Sequence, residues 1–221
     1  MLRGRTRLLV LAQLSGPPGG ARAWSLRRGD FEALEKALPR VAEHRVVLVG
    51  GEREAAPVAA IALAAAASAS GRRTIIVECD LAQPHLASHV GLAAAPGLHE
   101  YLRWEAEPAD VLQPVALGGS AANGSAEHLA CVCGGRPASK TETLLGLQSF
   151  AHMVEKLRAA YELVVLSGPP LLEEPGPCLA AARQADAFVA AVPASAAAGD
   201  RVLGKAIKHL PVPALGAIAV G

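Results

Sequence analysis

The sequence predicts an α/β domain built on a parallel sheet flanked by helices on both faces. Two observations carry this. Short, continuous apolar runs at 46–49, 74–77, 163–166 and 187–192 lack polar alternation, so each reads as a strand buried on both sides. Helical segments separate those runs, and strand–helix alternation of this kind builds a parallel sheet covered on both faces.

Taken in order, residues 1–28 read as a flexible basic leader and 29–221 as one folded domain. In the leader, Arg3, Arg5 and Arg7 precede apolar residues 8–12, and Ala21-Arg22-Ala23 has cleavage-like spacing, the outline of a weak signal peptide. The run Ser15-Gly16-Pro17-Pro18-Gly19-Gly20 reads instead as linker. A helix is predicted over 29–43, with Phe31, Leu34, Leu38 and Val41 on one face, Asp30 as N-cap and Pro39 weakening the last turn. The strand at 46–49 ends in Gly50-Gly51. An alanine-rich helix follows over 57–70, opened by Pro57, where a missing N–H costs least. The second strand, 74–77, runs into Glu78-Cys79-Asp80. A short helix at 97–104, a loop at 118–124 and a strand at 129–133 come next. Residues 141–161 are predicted as the longest helix. A strand at 163–166 leads into Ser167-Gly168-Pro169-Pro170. A helix at 176–184, a strand at 187–192, a helix near 197–210 and a strand at 215–220 complete the order. Ligands of such sheets bind beyond the carboxyl ends of the strands. The informative loops are therefore those after Val49, Val77 and Leu166.

Composition removes several function classes. With 52% hydrophobic but only 3% aromatic residues, the core must be Ala, Leu, Val and Ile. A net charge of +1 gives no electrostatic case for nucleic acid or an anionic membrane. The apolar run at 61–70 is half the roughly 20 residues that cross a bilayer. Four irregularly spaced cysteines are not a disulfide framework. Cys131 and Cys133 alternate on a strand and point the same way. With Cys79 they are either a metal site or small buried residues, and the second reading is the stronger. His85 and His89 have i, i+4 spacing but follow Pro84 without a third ligand, and read as surface. Ser167-Gly168 lacks the G-x-S-x-G of a nucleophile elbow, and Glu173-Glu174 reads as a solvated helix start. No catalytic residue and no metal ligand set is assigned.

The loops carry a resemblance. The segment Glu54-Ala55-Ala56-Pro57-Val58-Ala59-Ala60-Ile61-Ala62-Leu63-Ala64 aligns without a gap to a Walker A segment reading E-G-K-S-T-x-A-x-N-L-A. Glu78-Cys79-Asp80-Leu81-Ala82-Gln83-Pro84 resembles D-x-D-x-R-x-P, and Gly91-Leu92 with Gly97-Leu98-His99-Glu100-Tyr101-Leu102 resembles G-L…G-L-x-x-x-L. Tyr161 to Pro170 resembles the Walker B strand Y-D-x-V-I-I-D-x-P-P, and Asp186 to Val189 echoes the strand after it. In order and spacing, 45–221 resembles the bacterial tyrosine kinase (BY-kinase) and capsular-polysaccharide ATPase family, within the MinD/ParA-like P-loop NTPases. The resemblance implies a P-loop NTPase fold with its nucleotide pocket at Gly50, Gly51, Glu52, Arg53, Glu54, Ala55, Ala56, Pro57, Asp80 and Ser167.

That pocket departs from the pattern. A P-loop holds phosphates with backbone N–H groups and a lysine, and binds Mg²⁺ with a Ser or Thr hydroxyl. Ala56 stands in the lysine's place, Pro57 in the hydroxyl's, Ala55 in the glycine's, and Ser167 in that of the Walker B aspartate. Phosphoryl transfer is almost entirely positioning and electrostatics, so these losses predict a site that does not work. Three alternatives remain: Arg53 replacing the lysine charge, Asp80 holding a metal through water rather than capping its loop, and the helix N-terminus still binding a small anion through its free N–H groups. No cofactor is expected, ATP and Mg²⁺ entering only with an atypical working site. Kinase members of the family also phosphorylate a C-terminal tyrosine cluster; Tyr101 and Tyr161 here read as packing residues. The resemblance implies a cytoplasmic protein at the inner face of the membrane. Its partner would be a membrane chain-length or export protein of exopolysaccharide synthesis, an intact homologous ATPase, or a second copy of itself, and not nucleic acid. Two rival readings are an active ATP-dependent tyrosine kinase or ATPase with an atypical P-loop, and a MinD/ParA-like recruitment module.

Overall fold

The computed structural model describes residues 8–15, 26–115, 129–195 and 201–221. The expected loop at 118–124, much of the leader and the start of the helix near 197–210 lie outside them. The elements are β1 (Val10–Leu14), α1 (Arg28–Ala42), β2 (Val46–Gly51), α2 (Ala55–Ala69), β3 (Thr74–Glu78) and α3 (Leu86–Val90). They continue with α4 (Leu98–Leu102), α5 (Pro108–Val111), β4 (Leu112–Pro114), β5 (Leu129–Val132), α6 (Thr141–Leu145) and α7 (Gln148–Ala160). Last come β6 (Leu163–Pro170), α8 (Pro175–Ala182), β7 (Ala187–Pro193), α9 (Arg201–Ile207) and β8 (Ala214–Val220).

The eight described strands form one sheet in the order β1-β8-β7-β2-β6-β3-β5-β4. Every pairing is parallel except that of β4 with β5 at one rim. The central strands alternate their side chains between two cores, as buried parallel strands must. Val47, Val49, Ile76, Val165 and Val189 join the core under α1, α2 and α3. Val46, Leu48, Ile75, Val164 and Phe188 join the core under α4, α7, α8 and α9.

Helix α2 has no solvent face: it is buried from Ala55 through Ser68. A helix apolar all round must be an interior helix, and α2 lies across β2, β3, β6 and β7 and against α1. Its alanines are the strongest helix formers.

Three expectations need correction. The leader is not flexible throughout, because β1 lies inside it and extends the sheet beyond β8. Ala12 and Leu14 are each 4% exposed and bury against the α1 side, which a five-residue edge strand can do with only two inward positions. Asp30 does not cap α1, which begins at Arg28; its Oδ1 accepts from the Ser15 N–H (3.0 Å) and hydroxyl (3.1 Å), pinning the end of β1. The helix expected over 141–161 is two helices. Gly146 closes α6 and Leu147 is extended (φ −68°, ψ 147°), consistent with glycine's poor helix propensity. The longest described helices are α1 and α2, at 15 residues each.

Candidate functional site

The carboxyl edge of the sheet brings the three informative loops together. β2 ends at Gly51, whose φ is +142°. A β-carbon there would collide with the carbonyl oxygen of Ala191 on β7, so glycine is required for this approach. The chain then turns into α2 through Glu52, Arg53 and Glu54. The Glu52 N–H donates to the Ala191 carbonyl (3.0 Å), and the Glu52 carbonyl accepts from the Ala56 N–H (2.9 Å). Ala55 and Ala56 are 4% and 1% exposed, and Pro57 is buried. A working phosphate loop aims free N–H groups at its ligand. Here the Ala56 N–H is bonded within the chain, Pro57 has no N–H, and the side chains at 55–57 end in carbon.

Arg53 is enclosed by carboxylates. Its Nη1 donates to Asp80 Oδ2 (3.1 Å), its Nη2 to Glu173 Oε2 (3.0 Å) and Glu174 Oε1 (2.9 Å), and its Nε to Glu173 Oε2 (3.2 Å). The arginine side chain is 20% exposed, against 12% for Asp80, 23% for Glu174 and 56% for Glu173. Burial works against the Arg53 charge, and hydrogen bonds to Glu174 and Glu173 overcome it, holding its pKa above the usual value. Burial raises the Asp80 carboxyl, offset only in part by the Gln83 N–H (3.1 Å) and Arg53. Asp80 thus both caps its loop and pairs with Arg53. Glu173-Glu174, expected as a solvated helix start, instead closes over Arg53; nothing local in the sequence links residues about 120 positions apart.

Ser167 is 3% exposed and sits in register between Val49 of β2 and Glu78 of β3. Its carbonyl accepts from the Cys79 N–H (2.7 Å). Glu78 is a structural tie that the sequence reading missed. Its Oε1 accepts from the N–H groups of His85 (2.5 Å) and Leu86 (2.7 Å), and its Oε2 from that of Gly134 (2.7 Å). One buried carboxylate thereby joins β3 to the start of α3 and the end of β5. Burial raises its pKa, and the three N–H groups oppose that.

The thiols do not converge. Cys131 and Cys133 lie 3.7 Å apart in the core under α2, whereas Cys79 packs in the core on the other face. Tyr101 is 8% exposed and packs in that second core, with Tyr161 against its margin.

No family model matches the sequence, and no curated protein matches it significantly. Solved structures do match. The chimerical protein CapA2B2 superposes with a TM-score of 0.78 at 18% identity, over 96% of this chain and 94% of that one. The kinase domain of the Escherichia coli tyrosine kinase ETK gives 0.78 at 16% identity, over 97% and 90%. The septum site-determining protein MinD of Pyrococcus horikoshii, complexed with Mg-ADP, gives 0.60 at 16% identity, over 79% and 69%. The chain has the P-loop NTPase fold shared by bacterial tyrosine kinase domains and MinD ATPases, the group the sequence motifs resemble.

Proposed function

We propose that this chain is a catalytically degenerate relative of the polysaccharide-associated tyrosine kinases, acting through protein contacts as a regulator of exopolysaccharide synthesis or export. The observation that supports this reading is the closure of the strand–helix junction. The positive side chain that would meet a triphosphate, Arg53, is engaged by Asp80, Glu173 and Glu174. Those carboxylates would repel phosphate, and the flanking positions supply neither an ammonium group nor a hydroxyl. An active site using Arg53 and Asp80 is disfavoured because the two residues bond to each other. The partner in this reading is a membrane chain-length or export protein, or an intact homologous ATPase. Both would be met at the cytoplasmic face of the membrane.

Calorimetric titration with ATP tests the reading. The expected result is no saturable binding at millimolar nucleotide, with or without Mg²⁺. Micromolar, Mg²⁺-dependent binding would overturn it.

A further inference from the structure

We propose that the cleft between α4 and the loop entering α6 binds a small phosphate-bearing molecule, at a site separate from the β2–α2 junction and independent of the function proposed above. The cleft has a volume of about 400 Å³ and is lined by His99, Arg103, Ser139, Lys140 and Thr143, among others. That volume lies within the range of small-ligand sites, about 300–1,000 Å³. The loop leaves β5 at the carboxyl edge of the sheet, where ligands of parallel sheets bind, and the Ala138 N–H anchors it to the Leu81 carbonyl (2.8 Å).

The lining groups are rich in donors without partners. Among the described residues, Lys140 forms no ion pair and the Ser139 and Thr143 hydroxyls make no hydrogen bond. Arg103 uses only its Nε, on Glu105 (2.6 Å), which leaves the terminal nitrogens of its fork open. His99 Nδ1 is buried with no hydrogen-bond partner. The nearest carboxylate, Glu100 Oε1, is 3.7 Å from it and is already taken by the Arg136 N–H (3.2 Å) and Nε (2.8 Å). A buried polar atom left unpaired calls for an explanation.

Charge points to an anion. The lining residues include Arg103 and Lys140 and no carboxylate, and Glu105, paired with Arg103, offsets one of these two charges. Glu142, the acid nearest Lys140 in the chain, lies against Gly176 at the start of α8 instead. An arginine fork, an ammonium group and two hydroxyls together match the several acceptor oxygens of a phosphate better than the two of a carboxylate.

The backbone gives a separate indication. Among the described residues, the non-glycine residues with positive φ are Trp104 (62°) and Lys140 (58°). One lines the cleft and the other follows Arg103. Such conformations are unfavourable and collect at ligand clamps.

The probe is pyrophosphate, titrated at low salt by calorimetry and by ¹⁵N amide shifts of the whole chain. Saturable binding is expected, with shifts at 99–104 and 137–143 and none at 50–57. Lys140→Asn should weaken binding at least tenfold without changing the melting temperature, since asparagine tolerates the left-handed backbone. Arg103→Gln, a separately placed change, should weaken it similarly. Absence of saturable binding, shifts confined to 50–57, or unchanged affinity in either folded variant would overturn the proposal. Shifts at 50–57 on titration with ATP would sink the degenerate-site reading alone, so the two failures are distinguishable.

Discussion

Replacing Arg53 by methionine keeps most of the apolar stem and deletes the guanidinium. Three carboxylates then lose their cation. Asp80 and Glu174 are mostly covered, and a hydrogen bond between such groups and a charged donor contributes about 1.5 kcal/mol or more each. Glu173 is 56% exposed, and an exposed pair adds well under 1 kcal/mol. The expected loss is about 3 kcal/mol at neutral pH. For a domain of this length that lowers the melting temperature by roughly 6–12 °C. The pH dependence supplies a sign. Burial already holds the Asp80 carboxyl above its ordinary value. A raised carboxyl contributes stability below its unfolded pKa and loses it as pH rises through the folded pKa. Removing Arg53 raises that carboxyl further, so the variant suffers most at neutral pH and recovers towards the parent on acidification to about pH 4. Calorimetric melts of both proteins from pH 4 to 8 measure this. A variant as stable as its parent at pH 7, or a deficit that grows in acid, would refute the argument that the three acids hold Arg53 in place.

Two further outcomes follow from other carboxylates. Asp186 accepts the N–H groups of Arg45 (2.9 Å) and Val46 (2.8 Å) and both contacts from Arg158 Nη1 (2.8 and 3.0 Å). Burial would raise its carboxyl, but Arg158 and the Val46 N–H hold it below the ordinary value. That stability is present above the unfolded pKa of about 3.9 and is lost as pH falls through the folded one. Asp186→Asn should therefore cost about 2 kcal/mol at pH 7, with the gap to the parent closing in thermal melts as pH falls below the unfolded value of about 3.9. Glu78→Gln places an amide donor against one of three N–H donors and should cost about 1–2 kcal/mol, whereas Glu78→Ala strands all three and should cost about 3–5 kcal/mol. Urea midpoints that reverse this order would show that Glu78 is not the tie described.

The parallel sheet was legible because its central strands are uninterrupted runs of β-branched and aliphatic residues, a pattern that burial on both faces imposes. Strand β1 was hidden because only Ala12 and Leu14 point inward, amid arginines and a Gly/Pro stretch that read as linker. The break at Gly146 was missed because apolar spacing continues across it from Leu145 to Phe150. The short elements α3, α5 and β4 hold three to five residues each, too few for a period to register. At the site, the expected departures at 55, 56, 57 and 167 came from alignment to the motifs of the family that the sequence resembles. The enclosure of Arg53 was not, because pairing across three separate loops is fixed by the strand order rather than by any neighbouring residue. Glu78 was aligned with a motif acid, but its bonds to Gly134 and Leu86 depend on where β5 and α3 arrive.

The alanine helix α2 has a consequence for how the protein tolerates change. Ten of its fifteen residues are alanine, where truncation removes a single methyl group, while the buried Val58, Ile61 and Leu63 keep the ordinary cost of a core cavity. Enlargement is the damaging direction: each added methylene must wedge the sheet away from α1, and overpacking of that kind costs about 1–3 kcal/mol. Variation at the alanine positions of 55–68 should therefore be confined mainly to alanine and serine, glycine costing about 1 kcal/mol in a helix interior. The helix acts as a spacer whose thickness, more than its chemistry, is what natural variation must preserve.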